Sequence, residues 1–480
     1  MITRSFLVFL FVGAMSVAAA EVDRTKRPEA GPAPAASFPE FTEKTLPNGL
    51  KVFIVESKRQ PTVTLRLLIK SGDLYDGDKT GLAGITASLL DRGTANRTAQ
   101  QFAQEVDFLG ARFGAGAEED STSVSISGLV KYLPKLIDLF ADAVFHPIFP
   151  ADELVKEKKK VISALTREKQ VPSALAPKLR DKLIYGTHPY GAFVTESTVG
   201  SIERDDLAKF HAAHFMPNRA TLAVVGDVKA AEVMPLIEKA FGGWKPGTPP
   251  PITLPEFPSQ DQTTVHLIDR PGSVQSTVIV TMPGVPRNSP DFPELGVVNS
   301  TLGGGFSGRL FQNLREKNAF TYGAGSRFAS LLLGGLFSAS TDVRNAVTQP
   351  AVTEIVNELK RIREQPIDEQ ELAMQRDYLA GNYLLSLESP GTTAARVQEI
   401  EFYGLPTDYY KTYARRVTGV TPARAKELAQ KHLRDDKLTI VVVGEAKEIQ
   451  PALEKIAPVT VYNTDLQPVA RPATTPVAKP

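Results

Sequence analysis

Two stretches of the chain are unbroken runs of apolar and β-branched residues that end on glycine. They are Ala220-Thr221-Leu222-Ala223-Val224-Val225-Gly226 and Leu438-Thr439-Ile440-Val441-Val442-Val443-Gly444. A short run without alternation predicts a strand buried on both faces. Each is followed by a helical pattern, with Val233, Leu236, Ile237 and Phe241 after the first and Ile449, Leu453 and Ile456 after the second. Thr221 and Thr439, Gly226 and Gly444, and His214 and His432 all share one offset along the chain, which predicts two copies of one unit. Further strands are expected over Leu50–Val55, Thr62–Ile69, Val265–Ile268 and Ser276–Thr281, with Val124–Ile126 alternating with serine as a half-exposed strand. Helical periodicity covers Ala99–Leu109, Leu133–Val144, Asp152–Lys169, Gln349–Glu364, Asp368–Leu387 and Pro422–His432. Strand groups followed by helix groups make this an α+β fold of two homologous mixed α/β-sandwich domains.

Proline punctuates the chain at three places. Residues 21–40 form a Pro/Ala-rich lead expected to be flexible, residues 246–259 a linker carrying Pro249-Pro250-Pro251, and residues 464–480 a Pro-rich tail. Proline lacks an amide donor and restricts its predecessor, so the linker should be extended. The ordered domains are then 41–245 and 260–463. Ahead of the lead, Arg4, the apolar run Phe6–Val12 and the small residues Ser16–Ala20 have the form of a signal peptide over residues 1–20. The apolar run is short for a membrane span of about 20 residues. Export to the periplasm is expected, or secretion if the source lacks an outer membrane, with no membrane association after cleavage.

Composition narrows the chemistry by exclusion. With 42% hydrophobic residues the chain has material for large cores, which excludes global disorder. Its 55 basic and 54 acidic residues leave no electrostatic footprint for nucleic acid. The absence of cysteine removes disulfide scaffolds, thiolate zinc fingers, iron–sulfur sites and a cysteine nucleophile. Of six histidines only His211 and His214 are close, one helical turn apart, and no carboxylate at helical spacing completes a metal site with them. They are expected to close an ordinary helix.

The segment Asp78-Lys79-Thr80-Gly81-Leu82-Ala83-Gly84-Ile85-Thr86-Ala87-Ser88-Leu89-Leu90-Asp91-Arg92-Gly93-Thr94 resembles the catalytic helix of the pitrilysin/insulinase family of zinc peptidases, which includes the mitochondrial processing peptidases. In that family it reads approximately G-L-A-H-x-x-E-H-x-x-x-x-G-T. The flanks Gly81-Leu82-Ala83 and Gly93-Thr94 match. The family's two zinc-binding histidines fall on Gly84 and Ser88, and its general-base glutamate on Ala87. The third zinc ligand, a glutamate on a later helix, falls on Ala164, while Glu157 takes the place of an earlier glutamate that is not a ligand. A catalytic zinc needs about three side-chain ligands and an open water position. Glycine and alanine have no donor atoms and serine is a poor zinc ligand, so no zinc or other cofactor is expected in this chain.

A second segment is similar to the same family's C-terminal-domain signature. It runs from Asn299 through Gly303-Gly304-Gly305-Phe306-Ser307-Gly308-Arg309-Leu310-Phe311 to Arg315-Glu316 and on to Tyr322. Taken alone, the glycine triplet signals a turn or a close backbone approach, and no phosphate-loop spacing surrounds it. The resemblance implies more: in the family this arginine and tyrosine face the zinc across a cavity and contact the substrate peptide. Arg315, Tyr322 and Gly303–Gly305 are therefore the candidate substrate-binding residues, while His188, in a loop the family shares, is expected to be structural or substrate-side. The fold implied is processing-peptidase-like. The role implied is a zinc-free subunit completing the peptide cleft of a homologous zinc-bearing partner in a heterodimer. The alternative is a non-enzymatic peptide-holding or assembly protein.

Overall fold

The computed structural model describes residues 38–469. The signal segment, most of the lead and the end of the tail lie outside these residues. The strands form two six-stranded sheets. In the first, β1 (Thr42–Thr45), β2 (Lys51–Glu56), β3 (Thr62–Ile69), β4 (Arg112–Ala117), β5 (Thr122–Leu129) and β6 (Ala220–Gly226) lie in the order β1-β2-β6-β3-β5-β4. In the second, β7 (Thr264–Asp269), β8 (Gln275–Pro283), β9 (Ala324–Ser330), β10 (Gly335–Arg344), β11 (Thr439–Gly444) and β12 (Val459–Tyr462) lie in the order β12-β7-β11-β8-β10-β9.

Apart from the outermost strand, β1 in one sheet and β12 in the other, the order is the same. Strand directions repeat as well. β6 runs parallel to β2 and antiparallel to β3, and β11 runs parallel to β7 and antiparallel to β8. The offset that relates the two glycine-ended strands extends to helices. Ala151–Glu168 and Glu369–Ser386 start and end at that same offset, as do Arg204–His214 and Pro422–His432.

Side chains alternate across a strand, and both β6 and β11 are buried at every position. Leu222 and Val224 of β6 point into the core made by the first half's own helices, while Ala223 and Val225 point the other way. That second face is covered from the opposite half: the helix Pro390–Phe402 lays Ala394, Val397 and Ile400 on Ala223, Val225, Phe53 and Val55. The second sheet is covered reciprocally. The helix Pro172–Tyr185 lays Leu175, Ala176 and Leu179 on Ile268, Ile279, Val441 and Val443. These crossing helices both begin on proline, and their starts are related by the repeat offset. Burying Leu175 and Leu179 stabilises the union of the halves by roughly 2 kcal/mol each.

β4 and β9 escape the sequence pattern. Arg112-Phe-Gly-Ala-Gly-Ala and Ala324-Gly-Ser-Arg-Phe-Ala-Ser are rich in glycine, alanine and serine, which carry little strand preference. Pairing with β5 and β10 places them at the sheet edges.

Single apolar side chains anchor the proline-rich segments. Phe38, inside the lead, is buried against the Tyr410 ring, with centroids 5.3 Å apart. Phe257, in the linker, sits among Tyr185, His188 and Tyr190. Leu466, in the tail, is buried in the cluster under the helix Pro172–Tyr185. Each segment is therefore packed in part, because contacts of one large side chain, buried at Phe38 and Leu466 and 38% exposed at Phe257, offset the cost of ordering a few residues that proline already restrains. Among the described residues no helix is long and apolar enough to cross a membrane.

Candidate functional site

The helix Leu82–Ser88 starts on Gly81, whose φ of +98° is open to glycine. Asp76 holds that start: its carboxylate accepts from the amides of Gly81 (2.7 Å) and Ala83 (2.8 Å). Burial pushes Asp76 up to about 6 against the opposing pull of these amide bonds. At the other end Gly93 has φ +136°, and a Cβ there would lie 2.9 Å from Pro150 Cγ. Thr94 Oγ1 donates to Asp142 (2.7 Å) and accepts from the amides of Asn96 and Arg97. The retained flanks are thus explained by backbone conformation and packing.

Between the flanks there is no metal chemistry. A Cβ at Gly84 would meet nothing within 4 Å, and Ala87 is buried. The Ser88 hydroxyl donates back to Ile85 O in its own helix (3.0 Å). Ala164 lies on the helix Ala151–Glu168, where Glu157 is engaged by Lys160 at 3.0 Å. These residues do not fit a zinc ion. Among the described residues no group of three or more histidine, aspartate or glutamate side chains is gathered to hold a metal.

The histidines have local partners. His211 Nε2 donates to Val144 O (2.8 Å). The His214 ring lies between Phe210 and Tyr75, and burial, with the Arg219 charge adding to it, lowers its pKa to about 4. His188 Nδ1 accepts from the Tyr190 amide (3.2 Å), and its ring meets the linker's Phe257 with centroids 4.8 Å apart. His188 therefore helps seat the linker.

In the second half, the helix Phe292–Gly303 runs into the glycine-rich loop. A Cβ on Gly303 would lie 2.6 Å from the Ser326 amide nitrogen, and one on Gly304 would lie 2.6 Å from Ser300 Cα. Gly305 faces open space. Gly303 lets the loop lie directly against β9, and Gly304 lets it close over the end of the helix Phe292–Gly303. The loop is pinned to the helix Glu369–Ser386. Arg309 donates through Nε (2.8 Å) and Nη2 (2.7 Å) to Glu371, and Gln375 links Ser300 (2.6 Å) to Ser307 (3.1 Å).

Arg315 lies on a single π-helical turn, Gln312–Lys317. Such turns are costly and cluster at functional positions. The turn is held by Asn313, which donates to Glu354 (2.9 Å) and Glu358 (2.8 Å). Arg315's guanidinium rests 4.8 Å from the centre of the Phe311 ring and reaches Glu316 at 3.5 Å. Tyr322 is 89% exposed in the connection to β9, and Phe306 on the glycine-rich loop is 77% exposed. Among the described residues no hydrogen bond joins Arg315 to Tyr322. Gly303, Gly304 and Gly323, the neighbour of Tyr322, border one cleft of about 530 Å³. The structure thus brings the glycine-rich loop and the Tyr322 segment to one site. Sequence reasoning missed Arg309, Glu371 and Gln375, because their pairing joins segments far apart in the chain and leaves no local pattern.

Two sequence signatures match this architecture. One, described as Insulinase (Peptidase family M16), covers residues 51–196, and the other, described as the Peptidase M16 inactive domain, covers residues 201–379. The chain belongs to peptidase family M16. Curated relatives include the uncharacterised zinc protease YmxG of Bacillus subtilis, 24% identical over 73% of this chain and 86% of that one. Another, the uncharacterised zinc protease SCO5738 of Streptomyces coelicolor, is 25% identical over 85% of this chain and 90% of that one. The crystal structure of the M16 peptidase inactive domain from Pseudomonas fluorescens superposes with a TM-score of 0.79 at 28% identity, covering 84% of this chain and 98% of its own. A protease from Helicobacter pylori shares the fold, with a TM-score of 0.78 at 23% identity over 84% of this chain and 99% of its own. In this M16 chain the helix Leu82–Ser88 carries no side chain suited to zinc.

Proposed function

We propose that this chain is the zinc-free subunit of a heterodimeric zinc peptidase. The observation that carries this reading is a contrast within one molecule. The helix Leu82–Ser88 keeps its supporting glycines and has lost every ligand, while Arg315 and Tyr322 remain solvent-facing on a scaffold that neighbouring helices hold in place. Peptide hydrolysis would require the zinc of a homologous partner chain. This chain's residues would do the binding: the Arg315 guanidinium holds a peptide carbonyl or carboxylate, and the Tyr322 hydroxyl donates to a carbonyl oxygen as charge develops on it. Gly303–Gly305 would let peptide backbone approach closely. An address in the periplasm is part of the same proposal.

The test is reconstitution. Purified alone, the chain should hold no stoichiometric zinc by elemental analysis and cleave no peptide; zinc-dependent turnover by the lone chain would sink the reading. With a zinc-bearing partner chain, Arg315→Ala or Tyr322→Phe should lower kcat/KM by about tenfold or more while the complex stays intact by gel filtration. Unchanged kinetics would leave the pair a structural role and favour a peptide-holding protein.

A further inference from the structure

The helix Pro172–Tyr185 covers β11 and β8 but leaves the strip of sheet toward β10 and β9 open. That strip is the floor of the 530 Å³ cleft, and the helix forms its opposite wall with Ser173, Pro177 and Arg180. Arg180 is only 6% exposed. Its Nε and Nη2 donate to Asp181 at 2.8 and 3.0 Å, and Nη1 has no partner among the described residues. That donor edge opens on the polar cleft, where water or a ligand can meet it.

The floor is suited to a polar occupant. Alternate residues of β10, Ser338, Ser340 and Asp342, share one face, and Arg327 of β9, paired with Ser338, shares it. Two guanidiniums, Arg180 and Arg327, line the cleft against one carboxylate, Asp342, which already accepts from Thr277 Oγ1 (2.5 Å). With Asp181 counted, which pairs with Arg180, the charges balance, and what the cleft offers a ligand is the Nη1 edge that neither carboxylate takes. The duplication sharpens the point. Its offset equates Arg180 with Gln398, which is fully buried and whose amide is satisfied entirely from within.

We infer that this cleft binds a carboxylate carried by an extended peptide, with Arg180 Nη1 as the principal donor and the hydroxyls of Ser338 and Ser340 beside it. A guanidinium can serve two carboxylates on different edges, so Asp181 orients the group and leaves the free edge to the ligand. This deepens the proposed function, on which it rests for the presence of peptide at Gly303 and Gly304, by naming the substrate class as acidic peptides or peptide C-termini.

The experiment uses the full chain without any partner, with binding read by fluorescence anisotropy. The probes are short labelled peptides carrying one glutamate or its glutamine counterpart, each with a free or amidated C-terminus. The carboxylate-bearing peptides should bind about tenfold or more tighter than the fully neutral one. Which modification abolishes the gain identifies the source as side chain or C-terminus. Arg180→Gln should erase the preference. Because that substitution is buried, two further variants leave Arg180 in place. Asp181→Asn should strengthen carboxylate binding by removing a competitor, and Ser340→Phe should block it by filling the cleft. Equal affinity for acidic and neutral peptides, absence of binding included, overturns the inference, as does a preference that survives both Arg180→Gln and Ser340→Phe. If reconstituted peptidase activity still depends on Arg315 and Tyr322 while this preference is absent, only the present inference fails. A carboxylate preference in a chain that supports no peptidase overturns only the heterodimer reading.

Discussion

The two crossing helices invite comparison because they are the same element used twice. Each comes from one half, starts on proline and packs on the second face of the other half's sheet. Beneath Pro390–Phe402, Gln398 reaches the sheet and closes a polar knot. It accepts from Arg66 Nη1 (2.6 Å) and donates to Arg66 O (2.9 Å) and Thr221 O (2.8 Å). Beneath Pro172–Tyr185 the same helical position is Arg180, Ile279 lines the facing sheet, and the guanidinium turns aside to Asp181. One corner is internally satisfied and sealed; the other keeps a donor edge on a cleft. Duplication supplied the frame, and exchanging the charged group between sheet and helix decided which corner stayed closed.

The strongest way to break the equivalence of the halves is at the glycines that end β6 and β11. Gly226 has φ +153°, and a Cβ there would lie 2.1 Å from Thr62 O and 2.7 Å from Val63 Cα. Backbone cannot swing away as a side chain can, so Gly226→Ala must pry β6 from β3. A Cβ on Gly444 would instead meet Ser276 Oγ at 2.7 Å and Ile449 Cδ1 at 2.9 Å, both ends of side chains. Gly226→Ala is expected to destabilise the chain by about 4 kcal/mol and Gly444→Ala by about 1–2 kcal/mol. Denaturant titrations of both variants check this. Equal losses would mean that the duplicated glycines do the same work.

Next in size is the sealed corner itself. Gln398→Leu keeps the volume but strands the Arg66 guanidinium and the polar groups of Thr221, at an expected cost of about 2–3 kcal/mol. Arg180→Gln, the matching change across the duplication, removes a buried guanidinium but leaves the partly exposed Asp181 to solvent, at an expected cost of about 1–2 kcal/mol. Thermal unfolding of the two variants ranks them. The reverse order would show that Arg180 is the structural tie and Gln398 the dispensable one.

Much of this organisation is legible in the sequence, because burial writes it there. β6 and β11 are apolar at successive positions since each has a core on both faces, and the common offset of their glycines marks the repeat. That Gly84, Ala87, Ser88 and Ala164 offer no good zinc donor is equally visible, since side-chain chemistry does not depend on the fold. The reason Gly81 and Gly93 are glycines lies in positive φ and, at Gly93, contact with Pro150, which are not patterns along the chain. β4 and β9 were invisible because glycine, alanine and serine at a sheet edge carry no hydrophobic period. Arg180 was overlooked for a different reason: a single arginine on a helix reads as solvated until a sheet from the other half buries it.

The smallest expected effect is also the most symmetric. Glu56 ends β2 and Asp269 ends β7, each paired with the glycine that closes the adjacent strand. Glu56 Oε1 accepts from the Ala230 amide (2.8 Å) at the start of the helix Ala230–Phe241, and Asp269 Oδ1 accepts from the Ala446 amide (3.0 Å) at the start of the helix Ala446–Leu453. The residues at the cap positions, Lys229 and Glu445, offer no side-chain bond there. A carboxylate borrowed from the strand therefore serves as the cap and meets the positive end of the helix dipole. Glu56→Ala and Asp269→Ala should each cost about 0.5–1.5 kcal/mol, and, being distant from one another, should add in the double variant. Added salt should shrink both losses together if charge on the dipole contributes. Hydrogen exchange at Ala230 and Ala446 would report each cap separately, and protection that falls at only one of them would show that the two halves share a topology without sharing this device.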